Sequence, residues 1–409
     1  MRKLIGKRLH QFLYDQKISF RRWRVRTKRE LKLIAQGIAR RVILALVRPL
    51  NSIAPKVGVL PRPRFLIGPT NSANQGSEWS RSLTKNGAAS QSLRISSDPV
   101  SEWFITDLAI SREEWLKFPT RQKLAEMVAR TKDVVLFESL RPMFRLENIR
   151  NGEHQALEDI ELIKHIGKRV GVIFHGSDIR DVDAHAARTT FSPFNSSATE
   201  ITDLRKRSNE NRALLPILRN KKIPIFVSTQ DLFHEVPDAI WLPVVVDFVK
   251  FNKVAQTSPI YSQEKLRVLY LPSRSWLKSA DLIIPVLEKL HNEGVIEFIK
   301  PAPVPHDEVP SMLAQADVVI DQFLGVLGVF AIEALAAGRL AMTYLEEGAN
   351  SRTPLPASII NMTPQSIESE IRSVALNRPL PAGGVEFAKQ WHDGTASARI
   401  IGQAFGWKL

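Results

Sequence analysis

The sequence predicts an α/β protein in which two doubly wound, Rossmann-like domains follow one another and face a cleft, behind a basic helical N-terminal extension. Three observations carry that prediction. From Pro61 onward, short β-rich runs alternate with helical stretches, and a second series of the same kind begins near Arg267. The charge is also strongly segregated. Residues 1–64 hold 18 of the 57 Lys and Arg but only 2 of the 42 Asp and Glu, a net +16, whereas the rest of the 409-residue chain nets −1.

In chain order, residues 1–60 come first as the basic arm. Arg, Lys and His recur every few residues, so it has no uninterrupted apolar core of a signal peptide. Its longest apolar run, Val42 to Val47, falls far short of the roughly 20 residues that cross a bilayer. Leu31, Ile34, Ile38, Val42 and Leu46 recur at helical spacing with Arg40, Arg41 and Arg48 beside them. Two readings stand: an amphipathic tether to an anionic membrane surface, or helices packed on the body with their charges in water. Nucleic acid is disfavoured as a partner because the body adds no basic patch. The absence of cysteine excludes disulfides, thiolate metal sites and cysteine nucleophiles, and fits a cytoplasmic protein, held at the inner face of the membrane on the tether reading.

Residues 61–247 are expected to form the first domain. Strands are predicted at Arg64–Gly68, Val134–Glu138, Val170–Phe174 and Ile223–Val227, with helices near 77–85, 121–130 and 157–167 between them. Residues 186–200, rich in Ser, Thr and Ala, read as a mobile loop, and 247–264 as a linker. Residues 248–392 give the second domain, with strands at 267–271, 296–299, 318–320 and 340–344 and helices at 280–291, 308–314 and 329–337. Residues 393–409 are expected to return to the first domain as a terminal helix.

Five stretches concentrate the chemistry. In DQFLGVLGVFAIEALAAG, Asp321 to Gly338, a strand end leads into a turn with Gly325 and Gly328 and then a helix. Such a turn lets backbone approach a ligand, and the helix start offers N–H groups to an anion. Glu333 follows one to two turns into that helix, placed to accept bonds from two ribose hydroxyls. In LPSRSWLKSADL, Arg274 and Lys278 precede a helix at a strand's carboxyl end, suited to a diphosphate leaving group. In VGVIFHGSDIRD a buried strand delivers His175, Gly176, Asp178 and Arg180 to the cleft. His175 reads as a catalytic candidate, and Asp178 with Arg180 either as cleft groups or as an ion pair that holds the loop. Asn71 and Asn74, in GPTNSANQGSEW, offer amides to hydroxyls or serve as turn formers. The run Glu138 to Arg141 lies on the same edge and could reach the cleft.

These motifs resemble the large retaining GT-B glycosyltransferase family that includes bacterial envelope mannosyltransferases and sucrose synthase. The resemblance covers residues 64–405 and is densest over 170–247 and 267–345. It implies a donor-ribose role for Glu333 in EALAAG, a diphosphate role for Lys278 and Arg274, and a sugar contact for His175. The family's motif of two glutamates departs here, because Gly325 occupies the first glutamate's place. The implied activity is transfer of a hexose from a nucleotide-diphosphate sugar to a glycan or lipid-linked acceptor, with retention. No cofactor or metal is expected: the histidines lack metal spacing, and Asp181-Val182-Asp183 follows a histidine loop rather than forming a metal motif. Two alternatives remain, a nucleotide-sugar 2-epimerase on the same fold and a non-catalytic sugar-binding scaffold.

Overall fold

The structure, a computed structural model, describes residues 62–96, 104–144, 155–272, 274–301, 304–348 and 352–409. The readings made for the basic arm therefore lie outside the described residues. Among those described, no helix is long and apolar enough to cross a membrane.

Two parallel sheets organise the chain. The first contains β1 (Arg64–Gly68), β2 (Ala89–Ile95), β3 (Leu108–Ile110), β4 (Val134–Glu138), β5 (Arg169–Phe174), β6 (Ile225–Val227) and β7 (Ile240–Trp241), in the order β3-β2-β1-β4-β5-β6-β7. The second contains β8 (Leu266–Tyr270), β9 (Ile296–Ile299), β10 (Val318–Ile320), β11 (Leu340–Thr343) and β12 (Ile359–Asn361), in the order β12-β11-β10-β8-β9. The inner strands are almost wholly apolar because helices cover both faces. Phe65, Leu66 and Ile67 of β1 and Val134 to Phe137 of β4 are all fully buried. Strand order reverses between β1 and β4 in one sheet and between β8 and β10 in the other. In such sheets the crevice at the carboxyl ends of those two strands is where ligands bind.

Four strands, β2, β3, β7 and β12, were not expected from the sequence. They lie toward the sheet edges, where a polar run such as ASQSLRI needs only one apolar face. The linker expected over 247–264 is instead a helix, Phe248–Thr257, capped by Asp247, which accepts from Lys250 N at 3.2 Å. Phe251 and Val254 bury its inner face. The loop expected to be mobile over 186–200 is anchored at its centre: Phe194 is buried edge-on to His185, their ring centres 5.2 Å apart, and lies 6.4 Å, ring to ring, from Trp276 of the second domain. The 21-residue helix Glu200–Asn220 was also missed, because its many charges hide the buried stripe of Ile201, Leu204, Ser208, Asn211, Leu215 and Leu218.

The chain crosses between the sheets twice. It leaves the first at Val244–Asp247 and returns after the helix Gly384–His392 to a last helix, Thr395–Ala404, which packs on the first sheet. Phe405 lies 6.3 Å from Phe65 and 6.4 Å from Phe226, ring to ring. One side chain ties the two crossings: His392 Nδ1 donates to Val244 O at 2.7 Å, and Val246 N donates to His392 O at 2.9 Å. Burial pushes His392 down to about 4, against a smaller upward pull from the Val244 carbonyl.

Candidate active site in the interdomain cleft

The carboxyl edges of the two sheets meet. His185 Nε2 donates to Leu324 O at 3.0 Å, which leaves Nδ1 to accept from Ser192 Oγ at 2.7 Å. Val182, Phe194, Ile201 and Leu204 of the first domain share a buried cluster with Leu324 and Val326 of the second. Gln230 Nε2 donates to Thr353 Oγ1 at 2.8 Å and its Oε1 accepts from Arg352 N at 2.9 Å. The cleft between the two reversal points is thus closed along one side.

At the first reversal point, β1 ends on Gly68, where an added Cβ would sit 2.7 Å from Leu93 O. Only glycine allows β2 to approach so closely. The loop that follows points Thr70 N and Asn71 N at Glu138 Oε2, at 2.9 and 2.8 Å. A fold of this type offers such amides to a ligand's anion, but here the protein's own carboxylate takes them. The other Glu138 oxygen meets His175 Nε2 at 3.0 Å, and Glu138 is fully buried. His175 stacks on Trp79 with ring centres 5.5 Å apart and keeps 13% of its side chain exposed. Burial alone would lower the histidine's pKa, but the Glu138 hydrogen bond and charge, with Asp178 adding, carry it above the usual value. Since Nε2 serves Glu138, Nδ1 is the ring atom left for a ligand.

The neighbouring candidates make bonds within the protein. Asp178 accepts from Ser139 Oγ (2.6 Å), His175 N (3.0 Å) and Gly176 N (2.7 Å), so it shapes the turn that holds the histidine. The expected Asp178–Arg180 ion pair does not form; buried Arg180 pairs with Asp231 instead. Asn71 and Asn74 are buried with positive φ, and their amides are engaged by protein partners, Asn71 Nδ2 donating to Thr106 Oγ1 at 3.0 Å. Asn71 Oδ1 accepts from Ser77 N at 2.9 Å, and Asn74 Nδ2 donates to Glu78 Oε1 at 2.8 Å. Asp181 caps the helix Val182–Arg188 and Asp183 pairs with Arg205 at 2.9 Å. Among the described residues, no group of three His, Asp or Glu side chains could hold a metal.

At the second reversal point, Lys278 Nζ donates to Asp321 Oδ1 at 2.5 Å, and Gly328 N donates to Asp321 Oδ2 at 3.0 Å. The Gly328 amide, expected to be free for an anion, is therefore held by Asp321. A Cβ at Gly328 would lie 2.3 Å from that oxygen, so glycine is required there. Gly325 adopts φ +82° and its carbonyl accepts from Glu346 N at 3.1 Å. Lys278 retains two further N–H donors and is 17% exposed. Arg274 is exposed, with no side-chain partner among the described residues.

Glu333 is buried and its Oε1 meets His306 Nε2 at 2.6 Å. The His306 ring lies between Phe251, at 6.1 Å, and Phe104 of the first domain, at 5.4 Å. Burial again opposes protonation, and Glu333's hydrogen bond and charge overcome it, so His306 titrates above the usual value. Glu78, across the cleft, is raised by burial and by Asp247 and Glu333, against the lowering effects of Arg81 and His306. Sequence reading passed over His306 because a lone histidine in VPHDEVP carries no spacing signal.

No family model matches this sequence, and no curated protein does. Solved structures do resemble it. Sucrose-phosphate synthase from Thermosynechococcus elongatus superposes with a TM-score of 0.52 at 13% identity, over 84% of this chain and 98% of that one. HepE of Anabaena, solved with UDP-glucose, superposes with a TM-score of 0.53 at 11% identity, over 84% of this chain and 99% of that one. Identities this low establish the fold alone, and that fold is GT-B: two parallel α/β units with a cleft between them.

Proposed function

We propose that this chain is a glycosyltransferase that takes a hexose from a nucleotide-diphosphate sugar held on the second domain and delivers it to an acceptor on the first. One observation carries the reading. The two strand-order reversal points face one cleft and each has backbone N–H groups held by a buried carboxylate, Glu138 at the first and Asp321 at the second, but the second adds Lys278 with two unused donors beside a glycine turn. HepE, of the same fold, binds UDP-glucose, which supports a uridine nucleotide as the first donor to try.

In this reading Lys278 neutralises the diphosphate as the glycosidic bond breaks, with Arg274 able to swing in from solvent. Asp321 fixes the ammonium's position, so little reorganisation is needed as charge develops. Glu333 accepts from the ribose hydroxyls, with His306 holding its carboxylate. His175 directs Nδ1 at the sugar, and the Glu138 hydrogen bond fixes the ring's orientation. Gly325 and Gly328 let the turn approach the phosphates. Retention at the anomeric carbon, a glycan or lipid-linked acceptor, and independence from metal complete the proposal. The arm, residues 1–60, would hold the enzyme at an anionic membrane surface, and deleting it should abolish sedimentation with anionic liposomes.

Calorimetric titration with UDP and other nucleoside diphosphates tests the core claim. Wild type should bind one of them, and Lys278→Ala should weaken that binding by about 1.5–3 kcal/mol, the range for a lost charge-assisted bond. Equal affinity in the folded variant would place the donor elsewhere. Incubation with the bound donor then separates the classes: a transferase releases sugar and nucleoside diphosphate, an epimerase interconverts nucleotide sugars, and a scaffold does neither.

A further inference from the structure

We propose that Arg141, with Arg207, forms an anion-binding site on the first domain that receives a phosphate group of the acceptor. The proposal rests on the transferase reading for the word acceptor, and on the side chains alone for the site.

Two neighbouring elements are tied to the turn that carries Arg141. Arg141 follows the end of β4 in a tight turn, where Ser139 and Leu140 have φ of +56° and +47° and Arg141 N donates to Glu138 O at 3.0 Å. The short helix that begins at Arg112 is tied to the same turn, because Trp115 Nε1 donates to Met143 O at 2.6 Å. The long helix that carries Arg207 is tied to it as well. Its Asn211 Nδ2 donates to Ser139 O at 3.3 Å and to Asp178 O at 2.8 Å. The turn leaves the carboxyl end of β4, the sheet edge that also bears His175.

Arg141 is half-buried and makes no hydrogen bond or ion pair among the described residues. Three arginines withdrawn from water among the described residues are provided for. Arg180 pairs with Asp231, Arg267 with Asp317 at 2.7 Å, and Arg339 donates to Leu313 O and Ser258 O at 2.8 and 2.7 Å. A guanidinium held partly out of water without a partner carries a desolvation cost that an anion would offset. Burial and then the like charge of Arg207 disfavour its protonated form, Asp178 opposes them, and Arg112 and Glu210 add smaller effects of opposite sign. Asp178 acts at a distance, since its oxygens are already taken by Ser139, His175 and Gly176. Arginines carried on adjoining elements suit a phosphate, whose oxygens accept the planar N–H fork in pairs.

The test titrates inorganic phosphate into the full-length protein by calorimetry, for wild type, Arg141→Gln, Lys278→Ala and the exposed control Arg130→Gln. The basic arm is present in all four and cancels in the comparison. Arg141→Gln should weaken phosphate binding by about tenfold or more, with Arg130→Gln within about twofold of wild type. If Arg141→Gln fails to fold, Arg207→Gln carries the same expectation. Unchanged affinity in the folded variant overturns the site, as does a loss confined to Lys278→Ala, which would put the phosphate on the second domain. A second arm sediments zwitterionic vesicles with and without a polyprenyl phosphate. Phosphate-dependent sedimentation that Arg141→Gln abolishes supports the site with a lipid source, and its absence beside a positive soluble titration supports a soluble phosphate ester. The two readings fail separately: a wild type that binds phosphate but no nucleoside diphosphate sinks the transferase and leaves the site, and the converse sinks the site alone.

Discussion

Each domain turns a histidine onto a buried glutamate at its edge of the cleft, His175 onto Glu138 and His306 onto Glu333, and the two pairs are built differently. Glu138 is saturated, with two backbone amides on one oxygen and the imidazole on the other. Glu333 has the imidazole alone, and its second oxygen has no protein partner among the described residues. The first pair rests on Trp79 inside its own domain, whereas the second is lined by Phe104 from across the cleft. The same two side chains therefore make an internal anchor on one wall and a pair with an unfilled acceptor on the other. What decides the difference is how many donors the neighbouring backbone supplies, and β1's loop supplies them only to Glu138.

The largest expected effect breaks the anchor. Glu138→Ala leaves Thr70 N, Asn71 N and a buried imidazole unpaired, and stability measured by chemical denaturation should fall by about 3–5 kcal/mol. A loss near zero would mean that the loop finds other partners and that the pairs are alike after all. Glu333→Gln sharpens the contrast from the other side. It should change stability by less than about 1 kcal/mol, yet weaken the bound nucleotide by about 1.5–3 kcal/mol. Equal stability losses in the two variants would erase the distinction drawn here.

The smallest effects are in the pH dependence. Both paired histidines are raised above the usual 6.5, so their stabilisation is full below that pH and is lost as pH rises through their folded values. Glu138→Gln should remove one share of that alkaline loss and Glu333→Gln the other. His392 works in the opposite sense. Lowered from 6.5 to about 4, it binds fewer protons when folded, and stability falls as pH drops through that window. His392→Gln should flatten the acidic limb and leave the alkaline one.

Much of the fold was legible because buried parallel strands are short apolar runs, and VVLFE, RVGVIF and LRVLY announce themselves. Strands near a sheet edge such as β2 did not, since polar residues break the run, and the helix Glu200–Asn220 hid behind its charges. The candidate residues were legible as strand ends and glycine turns, which locate an edge and not a partner. Asp178 and Arg180 stand two positions apart, and nothing in that spacing shows that the arginine prefers Asp231, 51 residues on. Glu333's imidazole likewise comes from 27 residues upstream. Pairings of this kind are set by tertiary packing, so local pattern cannot supply them.

The double crossing at His392 has a practical consequence. Order along the chain is not order in space: the terminal helix belongs by position to the far end of the sequence, yet rides on the first sheet beside Phe65 and Phe226. A protease that nicked the first crossing would leave two fragments, one of them still threaded through both bodies and clasping the other by Phe405. A dye attached at Leu409 would report the movement of the first body, and one at Leu376, 83% exposed, that of the second. Between them they would read the opening of the cleft as a change in distance.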